Sequence, residues 1–376
     1  MILTSEDDWR GAIGFDAFAE RIMIRRACPA GEPGPWNDLA DLKAANWLQQ
    51  SRWKLDVSAP KVSEAVPEAA HRCTFHPLRD KLNSLRWDAV PRLATWLSVY
   101  LGAEDTPVHR AIASTWMLGA VSRAFSPGCQ VDAALVLEGI QGAGKSSALR
   151  TLALGFFTDE LADIGSKDAA MQLHGAWIVE LSELDALSRA EVTRVKSFIT
   201  RRVERFRAPY GRHIAEHPRS CVFAGTTNQS DYLRDDSGNR RWLPVLCGPV
   251  RLDELRRDVD LLWAEAVILY RDNGDTYIKD PSLLRDLRIH TDKRYQGDAW
   301  TDVVLNYANA RESVSVGEVL EHVGVDRGRW SRSDETRVAK ILKSEGFERH
   351  RATVGEARQW RYFRDYNGRA LDGLGR

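Results

Sequence analysis

With 376 residues and a hydrophobic fraction of 43%, the chain is long enough for two or three domains with a substantial core. Lys and Arg number 53, as do Asp and Glu, so the net charge is +0 and any basic footprint for nucleic acid has to be local. The five cysteines are scattered without metal-ligand spacing, Glu6, Asp7 and Asp8 replace a basic leader, and no apolar run approaches ~18 residues; reduced thiols, no signal peptide, no membrane span and a cytoplasmic location are expected.

Residues 1–70 read as a mixed, mainly helical region. Phe15–Ile24 suits a helix, the Pro- and Gly-bearing stretch 30–35 a loop, Asp38 an N-cap for a helix to Gln50, and Trp53–Val57 a short strand. No set of paired acids or His/Cys ligands within 1–57 suggests a second site. Residues 71–128 predict a helical bundle, with starts at Pro77, Pro91 and Thr106-Pro107 and apolar faces at helical spacing. The 13 tryptophans recur within amphipathic patterns and read as core.

Residues 129–297 carry the chemistry. The apolar run Ala133–Leu137 predicts a buried strand, and a helical pattern begins near Ser146. Between them Gly139, Gly144, Lys145 and Ser146 hold the four fixed positions of a phosphate-binding loop. Glycines, Gly142 included, let backbone N–H groups close on a phosphate, and the helix contributes its positive end at Ser146 and Ser147. Lys145 suits the β/γ-phosphates of ATP and the Ser146 hydroxyl suits Mg2+.

A second apolar strand, Trp177–Glu183, ends in acids. Glu180 is assigned to the metal and Glu183 to the attacking water, with Asp185 close enough to compete. Thr193 to Arg219 is the most basic stretch of this domain, reading as a helix and then a hairpin with Arg205, Arg207, Arg212 and His213 on its arms and tip. Contact with a DNA backbone and contact with ATP across a subunit interface both suit it. Cys221–Thr227 predicts a third strand tipped by Asn228, placed to bond the attacking water. Arg240 and Arg241 enter a fourth strand, where they can reach a phosphate in a neighbouring subunit. Leu252–Tyr270 is an amphipathic helix, and Asp280-Pro281 opens another.

Residues 298–376 predict three helices and a hairpin, a winged helix-turn-helix. Ser315 opens its second helix with capping-box spacing, and Ser333 and Asp334 open the third, which exposes Arg337 and Lys340. Between Asp326 and Arg364 eleven basic residues face six acidic ones, which suits phosphate contact; winged helices also serve as protein contacts.

The phosphate loop, residues 177–184, Arg205–Arg212, Gly225–Asn228 and Gly238–Trp242 together resemble the virulence-associated protein E family, P-loop ATPases of phages and mobile islands related to superfamily 3 helicases. The resemblance covers about residues 70–280. It implies an AAA+-like α/β core with a mostly parallel sheet, a homo-hexameric ring and DNA translocation; the basic hairpin is then expected on single-stranded DNA, and the C-terminal winged helix, outside the resemblance, on duplex DNA. Lys145 and Ser146 then match the Walker A positions, Glu180 and Glu183 the Walker B region, Asn228 the sensor, and Arg240 and Arg241 the arginine finger. Arg205, Arg207, Arg212 and His213 fall in the DNA-contacting hairpin. No primase segment is evident, so priming would come from a separate protein. The expectation is a DNA-dependent ATPase, a replicative helicase of a phage or mobile element. The competing readings are a regulatory switch ATPase that binds DNA without unwinding it and a small-molecule P-loop kinase.

Overall fold

The computed structural model describes residues 2–161, 163–184, 189–207, 213–229, 232–233, 241–294, 300–354 and 357–364. The chain divides into two compact units, residues 1–295 and 296–376.

The first unit begins with α1 (Ile2–Ser5), β1 (Ile13–Asp16), β2 (Arg21–Ile24), β3 (Gly34–Pro35), α2 (Asp38–Gln50), α3 (Ala59–His71) and β4 (Thr74–Phe75). The strands form a sheet in the order β3-β2-β1-β4. The helix predicted over Phe15–Ile24 is instead the β1–β2 hairpin, with Ile13 opposite Ile24 and Phe15 opposite Ile22. The reason lies across the sheet: the Phe15 and Ala17 N–H groups donate to the Cys73 and Phe75 carbonyls at 3.2 and 2.9 Å, bonds that only extended backbone can make, and a Cβ at Gly14 would come within 2.8 Å of the same Cys73 oxygen. The strand predicted at Trp53–Val57 is not formed; Lys54 turns to φ 43° and breaks the extension. Asn37, not Asp38, caps α2, its side chain accepting from the Ala40 N–H at 3.0 Å.

Next come α4 (Pro77–Ser84), α5 (Trp96–Leu101) and α6 (Pro107–Phe125). The helix predicted from Pro91 starts only at Trp96, because the Arg92 and Leu93 N–H groups donate to the Glu265 carboxylate at 2.6 and 2.9 Å. These helices share one core with the sheet that follows. That sheet is built from β5 (Ala134–Glu138), α7 (Lys145–Leu152), β6 (Phe157–Thr158), α8 (Lys167–Gln172), β7 (Ile178–Leu181), α9 (Arg189–Ile199), a side hairpin of β8 (Val203–Phe206) and β9 (Ala215–Pro218), then β10 (Val222–Thr227) and β11 (Trp242–Leu246). The order is β11-β5-β10-β7-β6 and every pairing is parallel. Both faces of β5, β7 and β10 are buried, which accounts for their unbroken apolar runs. α10 (Leu252–Arg271) and α11 (Pro281–Asp292) complete the unit.

Tryptophan is a core residue here, as its patterning predicts. The buried indoles of Trp96, Trp116, Trp177 and Trp263 each donate Nε1–H to a backbone carbonyl, so the polar edge of each ring is satisfied. Trp53 and Trp360 are exposed exceptions.

The second unit comprises α12 (Thr301–Asn309), β12 (Ser313–Val314), α13 (Val316–Val323), α14 (Arg332–Ser344), β13 (Glu348–Val354) and β14 (Ala357–Phe363). Its antiparallel sheet runs β12-β14-β13. Ser315 closes a capping box with Glu318. α14 begins two residues before the expected start, because Ser331 closes the capping box with Asp334. The chain thus has an α/β fold with a mostly parallel central sheet.

Candidate functional site

In a parallel sheet the carboxyl ends of all strands lie along one edge, where the loops leave room for a ligand. Here that edge collects the ends of β5, β7 and β10. Gly139, Gly142 and Gly144 all have positive φ, at 140°, 78° and 90°, which β-branched or bulky residues resist. At Gly139 a Cβ would also stand 3.1 Å from the Cys247 carbonyl oxygen. α7 starts at Lys145 with no side chain capping its first turn, so its N–H groups remain for an anion.

Lys145 is buried and folded back on this loop. Its ammonium donates to the carbonyls of Gly139 at 2.6 Å and Ile140 at 2.9 Å, and to Asn228 Oδ1 at 3.1 Å. Burial lowers its pKa, while Cys247 and Glu180 oppose the shift. Asn228 and Lys145 therefore meet although 83 residues separate them. Glu180 is 2% exposed, and its Oε1 accepts from Ser146 Oγ at 2.7 Å and Thr226 Oγ1 at 2.6 Å. Its Oε2 is buried with no hydrogen-bond partner. A hydroxyl beside a buried carboxylate with one oxygen to spare is a donor set suited to a hard divalent cation. Glu183, at φ 53°, borders the same cavity of about 360 Å3, together with Ser147, Ser182 and Thr227. Asp185, its competitor, lies outside the described residues.

Sequence reasoning missed two parts of this edge. Thr226, at the polar end of β10, gave no signal beyond being a hydroxyl two residues before Asn228. The second part is Glu138, the last residue of β5, which accepts both Arg294 Nε and Nη2 at 2.8 Å and the Tyr232 hydroxyl at 2.8 Å, with Glu138 and Tyr232 buried and Arg294 partly so. This cluster ties the start of the glycine loop to the segment after Asn228 and to the end of α11.

Arg241 lies at the start of β11, beside Trp242, which pairs with Ala134 at the start of β5. It borders a separate cavity of about 640 Å3 with Trp116 and Leu243, at the sheet edge opposite the glycine loop. It is therefore not brought to Lys145 within one chain. Arg240 lies outside the described residues.

The basic stretch is only partly a surface. Arg219 is buried, its guanidinium on the Glu204 carboxylate, and Lys196 is buried in α9. Arg202 donates to the Gly128 carbonyl at 2.7 Å. What remains exposed on the arms is Arg205, paired loosely with Glu216 at 3.3 Å, together with Arg207 and His213. Arg212 lies outside the described residues. In the second unit Arg337 is half-buried over the Trp300 ring at 4.0 Å, while Lys340 is exposed on α14. The β13–β14 hairpin carries a feature the sequence reading passed over: Trp360, 46% exposed, with Arg349 and Arg351 stacked on it at 4.4 and 5.1 Å.

Fold and site define an α/β protein whose glycine loop, buried acid and Asn-tipped strand share one sheet edge. The model of the virulence-associated protein E-like domain matches residues 82–293, more than half of the chain, and the protein belongs to that family. The apo structure of the NrS-1 C-terminal region aligns with a TM-score of 0.48 at 13% identity, covering 93% of this chain and 95% of that one. Two A-form apo structures of the same region align over the same shares, with TM-scores of 0.47 and 0.44 and identities of 13% and 14%. No curated protein matches the chain. No described helix is long and apolar enough to cross a membrane.

Proposed function

We propose that this protein is a P-loop NTPase with an AAA+-like core, an ATP-driven DNA translocase working as a homo-oligomeric ring, and a replicative helicase of a phage or mobile element. The observation that carries the reading is the linked pair of contacts at one sheet edge, Lys145 with Asn228 and Ser146 with Glu180. The loop glycines and the first turn of α7 would hold the phosphates of ATP. Ser146 and Glu180 would hold Mg2+, which neutralises charge on the β- and γ-phosphates when bound. Lys145 would exchange its carbonyl acceptors for phosphate oxygens, and Asn228, released from Lys145, would orient the water. Glu183 would take that water's proton. Arg241, and Arg240 beside it, would act on the nucleotide of the next subunit, where an arginine finger is worth ~10³–10⁵ in rate.

The exposed arms of the β8–β9 hairpin would track single-stranded DNA. The second unit would be a winged helix on duplex DNA, with priming left to a separate protein. The test is ATP hydrolysis with and without single-stranded DNA, for the wild type and Lys145→Ala. DNA-stimulated hydrolysis that Lys145→Ala abolishes supports the motor; hydrolysis indifferent to DNA counts against it. Strand displacement then separates a helicase from a switch ATPase that merely binds DNA, and mass measurement with ATP and DNA reads ring formation.

A further inference from the structure

We propose that Glu20, His174 and His217 form a binding site for a transition-metal dication of the zinc class, fastening the N-terminal sheet to the base of the β8–β9 hairpin. These residues come from the β1–β2 turn, the loop after α8 and strand β9, and each offers a ligand atom within 4.8 Å of the others. One oxygen, Glu20 Oε2, faces both imidazoles, 2.7 Å from His217 Nδ1 and 3.6 Å from His174 Nδ1. Tetrahedral ligands at ~2.0–2.1 Å from zinc stand roughly 3.3 Å apart. The His174 spacing already matches that, and the His217 spacing has to open by about half an ångström. The partly exposed Glu20 side chain can supply that movement.

The three residues are held in place by their surroundings. Asp16 Oδ1 accepts the N–H groups of Phe18 and Ala19 at 2.9 and 3.0 Å, which fixes the turn that presents Glu20 at φ 51°. The Phe18 carbonyl accepts the Gly175 N–H at 3.1 Å, next to His174. At Gly175 a Cβ would stand 3.1 Å from Ala19 Cβ, so this close approach of turn and loop needs glycine there. His217 stacks on Phe206 of the same hairpin, with centroids 4.2 Å apart and planes at 17°, and the His174 ring lies 4.9 Å from that of His217. His217 Nδ1 faces Glu20 at 2.7 Å, so a metal taken at Nδ1 replaces that hydrogen bond and leaves the ring proton on Nε2, which is buried with no hydrogen-bond partner.

Two imidazoles and one carboxylate select zinc-class ions over Mg2+, which prefers an all-oxygen octahedron. A cavity of about 210 Å3 bordered by Glu20, His174 and His217 leaves room for water in a fourth position. The site stands independently of the translocase reading.

The test uses the untagged full-length protein, stripped with a chelator and titrated with Co2+. The expected result is visible d–d absorption of a low-coordinate nitrogen–oxygen site, saturating at about one ion per chain and displaced by Zn2+, with Kd below about 10 µM. Glu20→Gln, on an exposed turn, and His174→Ala should each weaken binding at least about tenfold, whereas His322→Ala in the second unit should leave it unchanged. Metal-free thermal melts check that the variants fold, and Glu20→Gln decides if His174→Ala does not. Absence of saturable binding with these bands, or binding indifferent to Glu20→Gln, overturns the proposal.

Discussion

Glu180 sits where two hydroxyls converge, and its geometry argues for a role beyond packing. A buried carboxylate that accepts from Ser146 and Thr226 on one oxygen, yet has nothing on the other, would be a poor structural element by itself. Thr226 holds the carboxylate through the same oxygen as Ser146 and so fixes its orientation. Thr226→Val should therefore raise the Mg2+ concentration needed for half-maximal ATP hydrolysis by about 10-fold or more, with Thr226→Ser restoring it. Glu138 poses the opposite case. Its partners Arg294 and Tyr232 satisfy both oxygens, and burial together with the Glu138 charge pushes the Tyr232 hydroxyl well above its usual range. Glu138→Gln leaves the Arg294 cation buried against a neutral group, and should lower unfolding stability by about 3–5 kcal/mol, read by chemical denaturation.

Among the elements, the β8–β9 hairpin separates structural from surface arginines. Arg219, locked on Glu204, holds the base; Arg205 and Arg207 stand out on the arms. Arg207→Ala should weaken single-stranded DNA binding uniformly across sequences and reduce the salt slope by about one, leaving DNA-free hydrolysis unchanged. In the second unit Arg349 and Arg351 of the β13–β14 hairpin are exposed, whereas Arg337 of α14 is half-buried over Trp300. Truncating Arg349 or Arg351 should therefore cost more duplex affinity than Arg337→Ala, measured by fluorescence anisotropy. The same unit carries a pH-sensitive lock. Burial would raise the Glu318 carboxyl, but bonds from Arg361 and Ser315 outweigh it and hold the pKa below the usual value. Its folded pKa is depressed, so its contribution is present above about pH 4.5 and is lost as pH falls through the folded value. Glu318→Gln should be less stable at neutral pH and should lose less on acidification from about pH 5.5 to 3, followed by thermal melts.

For the molecule as a whole, the parallel sheet decides what one chain can do alone. Strand ends carrying the glycine loop, Glu180 and Asn228 share one edge, while Arg241 enters β11 at the other. If Arg241 acts on a neighbour's nucleotide, Lys145→Ala and Arg241→Ala proteins should each be inactive. An equal mixture should recover hydrolysis, because roughly a quarter of its interfaces pair an intact loop with an intact arginine. A mixture as inactive as its components would sink the shared site.

The glycine loop, the acidic strand and the Asn-tipped strand were legible in the sequence, because backbone conformation and burial on both sheet faces restrict residue type over short, contiguous spans. The capped helices were legible for the same local reason, to within a residue or two at Asn37 and Ser331. The Phe15–Ile24 hairpin was not, since what selects strand over helix there is the Cys73 carbonyl, some sixty residues away. Nor were Thr226, the Glu138–Arg294–Tyr232 cluster or the Glu20–His174–His217 group, whose members are polar residues without local pattern. Which lysines and arginines face solvent and which are locked inside, as Arg219 and Lys196 are, was likewise settled only by folding. A charge's meaning depends on the distance to its partner, and that distance exists only in three dimensions.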